Sequence, residues 1–509
     1  MTKELSNKKL TVANILSVIV LQLCTIASGF IIPKIILSNF GSEVNGLISS
    51  ITQFLNYIQL LEGGLSGVVM AALYKALADK NDEKVSSIIK AVDSFFKKIA
   101  LIYVVYALAL AVIYPIVVKS DFGYWYIFSL VLIIAISLFI QYFFSLTYRL
   151  LIVSDRRGFI VSIAQIVFTV INVILVVVSV KIYPDIHILK LLSAISFIVQ
   201  PVFFRIYVDK NYKIDKHAEK DTEALKQRWD GFGQNLAYFI HSNTDIVVLT
   251  LCMGLNTVSV YSVYLMIINA IQGLLISISG AIKPIFGNIL STKSTEEVNK
   301  AFDNYELGIN LITTIMFGCC VVLIVPFISI YTSSITDADY MQPVFAVIMC
   351  VAEAVYCFRD PFVAAAYSAG HFRQTAKYAY LEAVINIVAS LSLVFSLGLT
   401  GVAIGTLIAM CFRAVMHVIY LKKNILYRPI RKWLKGTALA FVSGAVGILL
   451  VKTFIKMPVG NYLEWFVYAC LSALVIGLTV CAFFFAVYHK TIIAVIKTYF
   501  KRDKKGDVK

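Results

Sequence analysis

The amino-acid sequence predicts an all-α polytopic membrane protein with about fourteen transmembrane helices, and its composition and hydropathy pattern lead to that prediction. Of the 509 residues, 60% are hydrophobic and 15% are charged. Soluble domains, by contrast, are roughly 45–50% apolar and about 25% charged. Apolar segments recur along the chain, each with the ~20 or more residues that a helix needs to cross a membrane. No predicted loop is long enough for a soluble catalytic domain.

The order of the apolar segments divides the chain into two pseudo-symmetric six-helix bundles and a terminal helix pair. We predict an N-terminal lobe at 1–208, a cytoplasmic central loop at 209–230 and a C-terminal lobe at 231–421. The terminal pair at 422–488 and a basic cytoplasmic tail at 489–509 follow. The predicted spans are 11–33, 44–74, 93–118, 123–148, 158–181, 186–208, 231–253, 257–290, 303–331, 338–364, 376–397, 400–421, 435–455 and 462–488.

A pattern that recurs after 213 residues indicates that the two lobes arose by duplication. The offset takes Gly41 to Gly254 and Asn56 to Asn269 without a gap, together with the surrounding hydropathy and turns. A short apolar match is weak by itself, but matched amides in the middle of two spans favour duplication over coincidence. Two related membrane halves are typical of transporters, whose substrate path lies between them.

The positive charge of the chain is explained by membrane topology. The formal net charge is +16, but the basic residues lie in the predicted loops, so we predict no nucleic-acid partner. With the N-terminus inside, most Lys and Arg residues fall on the inner side, and both termini are predicted to be cytoplasmic. The exceptions on the outer side are Lys34, Lys119, Lys181, Lys190, Lys452 and Lys456.

The nine cysteines are interpreted as packing residues. All lie in apolar segments, and none has metal-ligand spacing with a histidine. Free cysteine behaves as a small apolar side chain when it is buried. Neither a metal nor a cofactor is therefore predicted.

Polar side chains recur on the first two predicted spans of each lobe, and they are the candidates for a substrate cavity. Unpaired polar groups are costly against lipid, so these faces are expected to line a water-filled cavity between the lobes. Hydrogen bonding between helices is the alternative explanation. The candidates are Gln22, Gln53, Asn56, Glu62, Gln234, Asn235, His241, Asp245, Asn269, Gln272 and Lys283.

Five arginines near predicted cytoplasmic helix ends are candidates for a pyrophosphate site or a cytoplasmic gate. The planar guanidinium group suits phosphate oxygens because it donates two parallel hydrogen bonds. Topology alone also places basic residues at these ends, so this alternative stays open. The five are Arg149, Arg157, Arg359, Arg373 and Arg413.

A set of short motifs in about the first half of the chain carries a family resemblance. They are Asn14, Pro33, Phe40-Gly41, Asn45-Gly46, Leu61-Glu62-Gly63-Gly64-Leu65, Asn243-Thr244-Asp245 and Tyr261. With the two-lobed plan and the terminal pair, this pattern resembles the Wzx-like polysaccharide flippases. These form the polysaccharide transport branch of the MOP (multidrug/oligosaccharidyl-lipid/polysaccharide) superfamily, to which MATE-like transporters also belong.

The resemblance implies two bundles that rock between inward-open and outward-open states. It implies an oligosaccharide substrate on undecaprenyl pyrophosphate, moved from the inner to the outer leaflet for cell-surface polysaccharide assembly. The partners that it implies are this lipid-linked oligosaccharide, the membrane lipids and glycan polymerase or glycosyltransferase machinery. The implied location is the bacterial plasma membrane.

Three other functions are weighed against this one. A cation-coupled multidrug antiporter of the same superfamily resembles its relatives in using a membrane-embedded carboxylate in the N-terminal lobe, where Glu62 is the one central candidate. A membrane-embedded glycan polymerase or glycosyltransferase needs large outer loops or a carboxylate cluster, and only Asp337 and Asp339 stand out there. A scaffold for a glycan-synthesis complex is the third. A non-enzymatic transporter is therefore predicted.

Overall fold

The computed structural model describes residues 7–62, 65–215, 217–221, 223 and 232–506, and every regular element among them is a helix. A 3₁₀ helix at Tyr57–Glu62 and a π-helix at Gln141–Ser145 interrupt the α-helical course. The α-helices are α1 (Asn7–Asn56), α2 (Leu65–Ala78), α3 (Asp82–Val117), α4 (Tyr124–Ile140), α5 (Leu146–Ser154), α6 (Gly158–Ile182), α7 (Ile186–Asn211), α8 (Phe232–Cys252), α9 (Leu255–Thr292), α10 (Thr295–Tyr331), α11 (Pro343–Ser368), α12 (Phe372–Asn424), α13 (Ile430–Phe454) and α14 (Tyr462–Gly506).

The prediction of an all-α polytopic membrane protein is confirmed. Ten helices among the described residues are long and apolar enough to cross a membrane. Phe372–Asn424 covers two predicted spans, and Lys9–Glu62 covers the first predicted span and most of the second, because each helix bends at one glycine. Residues 65–74 of that second span, 44–74, lie in α2. Helix α11 matches a further predicted span but carries Glu353, Arg359 and Asp360 in its central part, which makes it less apolar than those ten.

The chain forms two compact units. Met1–Ser262 with Ile335–Ala338 makes up the first unit, and Val263–Ser334 with Asp339–Lys509 makes up the second. The division predicted from hydropathy places the lobes at 1–208 and 231–421. That division stays a prediction.

Apolar side chains form the core of each unit and also cover its outside. In the first unit the fully buried side chains include Leu47 and Ile51 of α1 and Leu130 of α4. On the outer faces of α3 and α6, Ile116 and Ile174 are 72% and 54% exposed. Lipid tails are as apolar as leucine and can cover such faces. An apolar outside is therefore a property of the membrane-spanning helices and not a packing defect.

Helix α12 folds back on itself at Gly398, which has φ 57° and ψ −134°. The Nδ2 atom of Asn386 donates to Oγ1 of Thr406 at 2.9 Å, so residues on opposite sides of the bend lie side by side. Ser390 and Gly405 approach each other so closely that a Cβ atom on Gly405 would lie 2.7 Å from the Ser390 nitrogen. The bend at Gly398 therefore divides α12 into two helical parts, which correspond to the predicted spans 376–397 and 400–421.

Small residues dock the terminal pair, α13 and α14, onto α10 in the second unit. Cβ atoms added at Gly436 and Gly444 of α13 would lie 3.3 Å from Asn310 and 3.2 Å from Thr314 of α10. A Cβ atom added at Gly447 would lie 3.4 Å from Ile476, so this glycine packs α13 against α14. The indole nitrogen of Trp465 in α14 donates to the Leu323 carbonyl of α10 at 3.1 Å. Close approach through small residues supplies the van der Waals contact that drives helix association in lipid.

The bend in α1 depends on Gly41 and on a carboxylate from a distant loop. Gly41 has φ 84°, a backbone conformation that favours glycine. Asp337, in the segment Ile335–Ala338 of the same unit, accepts from the Ser42 nitrogen at 2.7 Å and from the Ser42 hydroxyl at 2.6 Å. The carboxylate of Asp337 therefore caps the second part of α1. Asp339 accepts from the Met341 nitrogen at 2.9 Å, so the carboxylates of both Asp337 and Asp339 bind backbone groups.

Replacing Gly41 with alanine is expected to destabilise the protein more than the same change at Gly254. The 213-residue offset matches the turns at Gly41 and Gly254, so both glycines should have the same backbone conformation. Both do have positive φ, 84° and 89°. A Cβ atom at Gly41 would lie 2.7 Å from Oδ2 of Asp337, whereas one at Gly254 meets nothing within 4 Å. Each variant has backbone strain of about 1–2 kcal/mol, and Gly41→Ala also disturbs the cap. Melting temperatures in detergent measure the difference, and equal losses would contradict the capping role.

Candidate functional site

Polar side chains of α1 pair with those of α8 and α9 inside the first unit. Among the sequence candidates, Gln53 donates through Nε2 to Oδ1 of Asn243. Polar side chains that precede Gln53 on α1 make contacts of the same kind. Buried polar groups need such hydrogen-bond partners within an apolar bundle. Examples are Asn45 Nδ2, which donates to Ser259 Oγ at 2.8 Å, and Ser50 Oγ, which lies 2.8 Å from Thr250 Oγ1. Ser50 Oγ also accepts from the Tyr114 hydroxyl of α3 at 2.7 Å.

Asp245 of α8 is a buried carboxylate in the same unit. Its side chain is 4% exposed, and its Oδ2 atom accepts from the Tyr261 hydroxyl at 2.9 Å. Asp245 and Tyr261 are both part of the motif set that carries the family resemblance. An ionisable side chain inside a membrane-spanning helix is costly, and such residues commonly have a function.

Glu62 lies at the end of the 3₁₀ helix, where its carboxylate meets the π-helix. Its Oε1 atom accepts from the Tyr142 hydroxyl at 2.6 Å. Tyr142 is the second residue of the π-helix Gln141–Ser145, and π turns within α-helices are frequent at functional sites. Gly63 and Gly64, which follow Glu62, lie outside the described residues.

The remaining N-terminal candidates differ in what surrounds them. Gln22 is partly buried on α1, and Asn56 ends α1, where its Oδ1 atom accepts from Gln59 at 3.3 Å. Gln234, Asn235 and His241 lie on α8, but their side chains are outside the part of the chain that the structure describes.

In the second unit, α11 carries two carboxylates, two helical turns apart, that bind side chains of α9. Gln272 Nε2 donates to Glu353 Oε2 at 2.7 Å. Lys283 Nζ lies 2.9 Å from Asp360 Oδ1, and the Lys283 side chain is 36% exposed. Ser279 also donates to Asp360. Because residues seven apart share one helix face, α11 presents both carboxylates to α9. Asn269 of α9 is exposed.

A buried charge triad joins α11 to both parts of α12. Glu382, with a fully buried side chain, accepts from Arg359 Nη1 at 2.7 Å on one oxygen and from Arg413 on the other. Arg359 and Arg413 are themselves 4% and 3% exposed. Desolvated charges of this kind need close partners, because an uncompensated buried charge is strongly destabilising.

The five candidate arginines therefore have different surroundings. Arg359 and Arg413 are bound to Glu382, and Arg157 pairs with Asp155 at 3.0 Å and donates to the Tyr207 hydroxyl at 3.0 Å. Arg373 is exposed at the start of α12. Arg149 lines a polar cavity in the first unit and makes no salt bridge with another described residue. A pyrophosphate or gate role for these residues stays a prediction.

Sequence reasoning missed the acidic residues that pair with its candidates. Glu353, Asp360 and Glu382 all lie within predicted spans, and a charged residue inside a span is by itself a signal of function. Tyr142 and Tyr305, which lie beside Glu62 and Asp360, have no comparable signal because tyrosine is common in membrane helices.

Comparison with solved structures shows which fold this is. The chain is similar to "Lipid II flippase MurJ, inward closed conformation", with a TM-score of 0.72 and 14% identity over 93% of this chain and 100% of that chain. An inward-facing multidrug resistance MATE family transporter of the MOP superfamily gives 0.64 and 14% over 79% and 94%. The MATE multidrug transporter DinF-BH, in complex with rhodamine 6G, gives 0.63 and 14% over 84% and 98%.

Sequence comparison adds no closer relation. No protein-family model and no curated protein matches the chain. At 14% identity, the structural likeness establishes the fold alone. The chain thus has a fold that is found in a lipid II flippase and in multidrug transporters.

Proposed function

We propose that the protein is a flippase that moves undecaprenyl-pyrophosphate-linked oligosaccharide from the inner to the outer leaflet by alternating access. The observation that carries this proposal is the likeness to a lipid II flippase over 93% of the chain, combined with polar and charged clusters inside otherwise apolar helices. The product would serve cell-surface polysaccharide assembly. We also propose that the protein moves this substrate without forming or breaking covalent bonds.

The physical requirement for such a protein is a polar surface for sugars within the membrane. Burying an unpaired hydroxyl group costs roughly several kcal/mol, so a sugar chain does not cross hydrocarbon unaided. Amides such as Gln22 and Asn269, which make no hydrogen bond with other described residues, have donors and acceptors for sugar hydroxyls. We propose that they line the path together with Asn56 and the Gln272–Glu353 pair.

In the proposed mechanism, one charged cluster in each unit responds to the substrate. Lys283 and Asp360 form a partly exposed ion pair in the second unit, and Asp245 is held by Tyr261 in the first. We propose that a change of partners at these clusters accompanies the change between inward-open and outward-open states. Because the clusters contain both acidic and basic side chains, they favour neither an acidic nor a basic sugar.

Location and partners belong to the same proposal. The charge distribution of the loops supports a multi-pass orientation with both termini in the cytoplasm of a bacterial cell, so that the substrate arrives from the inner leaflet. The lipid tail stays among membrane lipids while the sugars move. Glycosyltransferases that build the substrate and a polymerase that uses it are the proposed working partners.

Replacing Asp245 with asparagine or Lys283 with alanine is expected to slow flipping by at least about tenfold. Each change removes a charge-assisted hydrogen bond, a contribution of about 1.5–3 kcal/mol. The measurement uses proteoliposomes with a fluorescent undecaprenyl-pyrophosphate oligosaccharide and a membrane-impermeant quencher. The controls are Asp209→Asn and Lys293→Ala, whose side chains are 51% and 54% exposed. Unchanged flipping in both test variants would remove these residues from the mechanism, and no flipping by the wild type would contradict the function.

A cation-coupled multidrug antiporter is the second candidate. Its specific support is the likeness to MATE transporters, one of which is in complex with rhodamine 6G, and the partly buried carboxylate of Glu62 bound to Tyr142. The same proteoliposomes loaded with rhodamine 6G separate the two functions. Dye efflux that follows an imposed proton or sodium gradient and is lost in Glu62→Gln would favour the antiporter, and its absence would favour the flippase.

A further inference from the structure

A half-open polar cavity of about 180 Å³ lies within the first unit, among membrane-spanning helices. It is lined by α1, the π-helix, α5, α6 and α7. Liquid water occupies about 30 Å³ per molecule, so the cavity has room for several small polar groups. Its polar lining residues are Thr25, Gln141, Arg149, Gln165, Thr169 and Gln200.

The π-helix explains how Gln141 and Arg149 come to line the same cavity. They are eight residues apart, which in a regular α-helix exceeds two turns by about 80°. The wider π turn at Gln141–Ser145 accommodates an extra residue and removes much of that offset. The same turn directs the next residue, Tyr142, to Glu62. One local irregularity thus serves both the cavity and the Glu62 contact.

The polar side chains of this cavity make no direct polar contact with one another or with their described neighbours. Among the described residues, none of the six makes a side-chain hydrogen bond or a salt bridge. Gln200 is buried, Gln141, Gln165 and Thr169 are partly buried, and Thr25 and Arg149 are exposed at the cavity. A buried polar group such as Gln200 is costly without a partner. Several other polar groups of the first unit are paired, as Gln53 and Asn243 are. The six side chains therefore leave hydrogen-bond donors and acceptors open to a polar ligand.

The chemistry of the lining favours an oxyanion. Arg149 contributes a permanent positive charge and five N–H donors, and the three glutamines and two threonines contribute neutral donors. No carboxylate of the described residues lines the cavity, whereas a cation site requires several oxygen ligands, usually with carboxylates among them. Glu62 lies within electrostatic reach of Arg149, but its carboxylate is bound to Tyr142.

We propose that this cavity is a phosphate-binding subsite, which receives the pyrophosphate group of the lipid-linked substrate through Arg149. The lipid as the source of the pyrophosphate rests on the proposed function, whereas the oxyanion site itself does not. Arg149 lies about one and a half turns before the end of α5 at Ser154, where the distribution of basic residues predicts the cytoplasmic side. A pyrophosphate that arrives with an inner-leaflet lipid would meet the cavity at that end.

The test measures binding of inorganic pyrophosphate and of undecaprenyl pyrophosphate to the full-length protein in nanodiscs. Arg149→Gln is expected to weaken both affinities by at least about tenfold, because it removes the charge-assisted hydrogen bonds. Gln165→Leu keeps the charge and is expected to weaken both by a smaller factor. The matched control is Arg205→Gln, the same substitution at a side chain that is 56% exposed, which should bind like the wild type. Undecaprenol, which has no phosphate, should bind wild type and Arg149→Gln equally.

Three results would overturn parts of the proposal. Unchanged pyrophosphate affinity in a folded Arg149→Gln protein, judged by its melting temperature, would overturn the oxyanion site. Arg149-dependent binding of inorganic pyrophosphate that does not compete with undecaprenyl pyrophosphate would overturn the lipid as its source and indicate a free anion. Arg149-dependent binding without any flipping in proteoliposomes would contradict the proposed function and leave the subsite intact.

Discussion

Replacing Gly46 with alanine is expected to lower the stability of the protein by about 3 kcal/mol or more. Gly46 of α1 packs directly against the backbone at the start of α9, both in the first unit. An added Cβ atom would lie 2.7 Å from the carbonyl carbon of Leu255 and 3.2 Å from its Cα atom. Overpacking of a core typically costs about 1–3 kcal/mol, and here the obstacle is backbone, which cannot rotate away as a side chain can.

The expected consequence of this change extends to the neighbouring hydrogen bonds. A shift of α1 away from α9 would lengthen the 2.8 Å contact between Asn45 Nδ2 and Ser259 Oγ. The measurement is the melting temperature of the detergent-solubilised protein, followed by size-exclusion chromatography. Gly67→Ala in α2 is the matched control, because a Cβ atom there meets nothing within 4 Å and alanine is the better helix former. If both variants melt together, the close contact at Gly46 is not important for stability.

Replacing Glu382 with glutamine is expected to cause the largest loss of stability of any single polar change in the second unit. The substitution leaves Arg359 and Arg413 without the carboxylate between them, in a site where all three side chains are at most 4% exposed. Removing one partner of a buried ion pair typically costs about 3–5 kcal/mol. We expect a melting temperature that is lower by at least about 5 °C, or little folded protein in the membrane.

A double variant separates charge imbalance from loss of packing. Glu382→Gln combined with Arg413→Gln removes one charge of each sign, so it should melt at a higher temperature than Glu382→Gln alone. Glu296→Gln, at an exposed position in the first turn of α10, controls for the chemistry of the substitution. Equal melting temperatures for wild type and Glu382→Gln would show that the triad makes no net contribution to folding.

Hydropathy alone was sufficient to predict the fold class and most span positions, because the membrane imposes the same length and apolarity on every crossing helix. The predicted span 158–181 corresponds to Gly158–Ile182, for example, and 231–253 to Phe232–Cys252. Hydropathy did not predict that the helix would continue from one span into the next. The residues around Gly41 are too polar to count as a span, yet the backbone stays helical on both sides of that glycine.

The candidate site was predictable only in part, because a sequence pattern shows which helix face is polar but not which helix packs against it. Gln272 and Lys283 were found from their spacing on α9, whereas their partners Glu353 and Asp360 lie some 80 residues further along the chain. Arg359 and Arg413 look like helix-end cations in the sequence. Their burial against Glu382 depends on the fold of α12 at Gly398, which no local pattern encodes.

The charge triad of α11 and α12 has a consequence for biogenesis. On translocon insertion scales, a single arginine or aspartate at the centre of a helix costs roughly 2.5–3.5 kcal/mol. Helix α11 carries Glu353, Arg359 and Asp360, so it is a poor candidate for release into the bilayer as soon as it leaves the ribosome. Neutralisation of Arg359 requires Glu382, which is synthesised later. We expect α11 to be retained beside the translocon until α12 emerges and to enter the bilayer together with it.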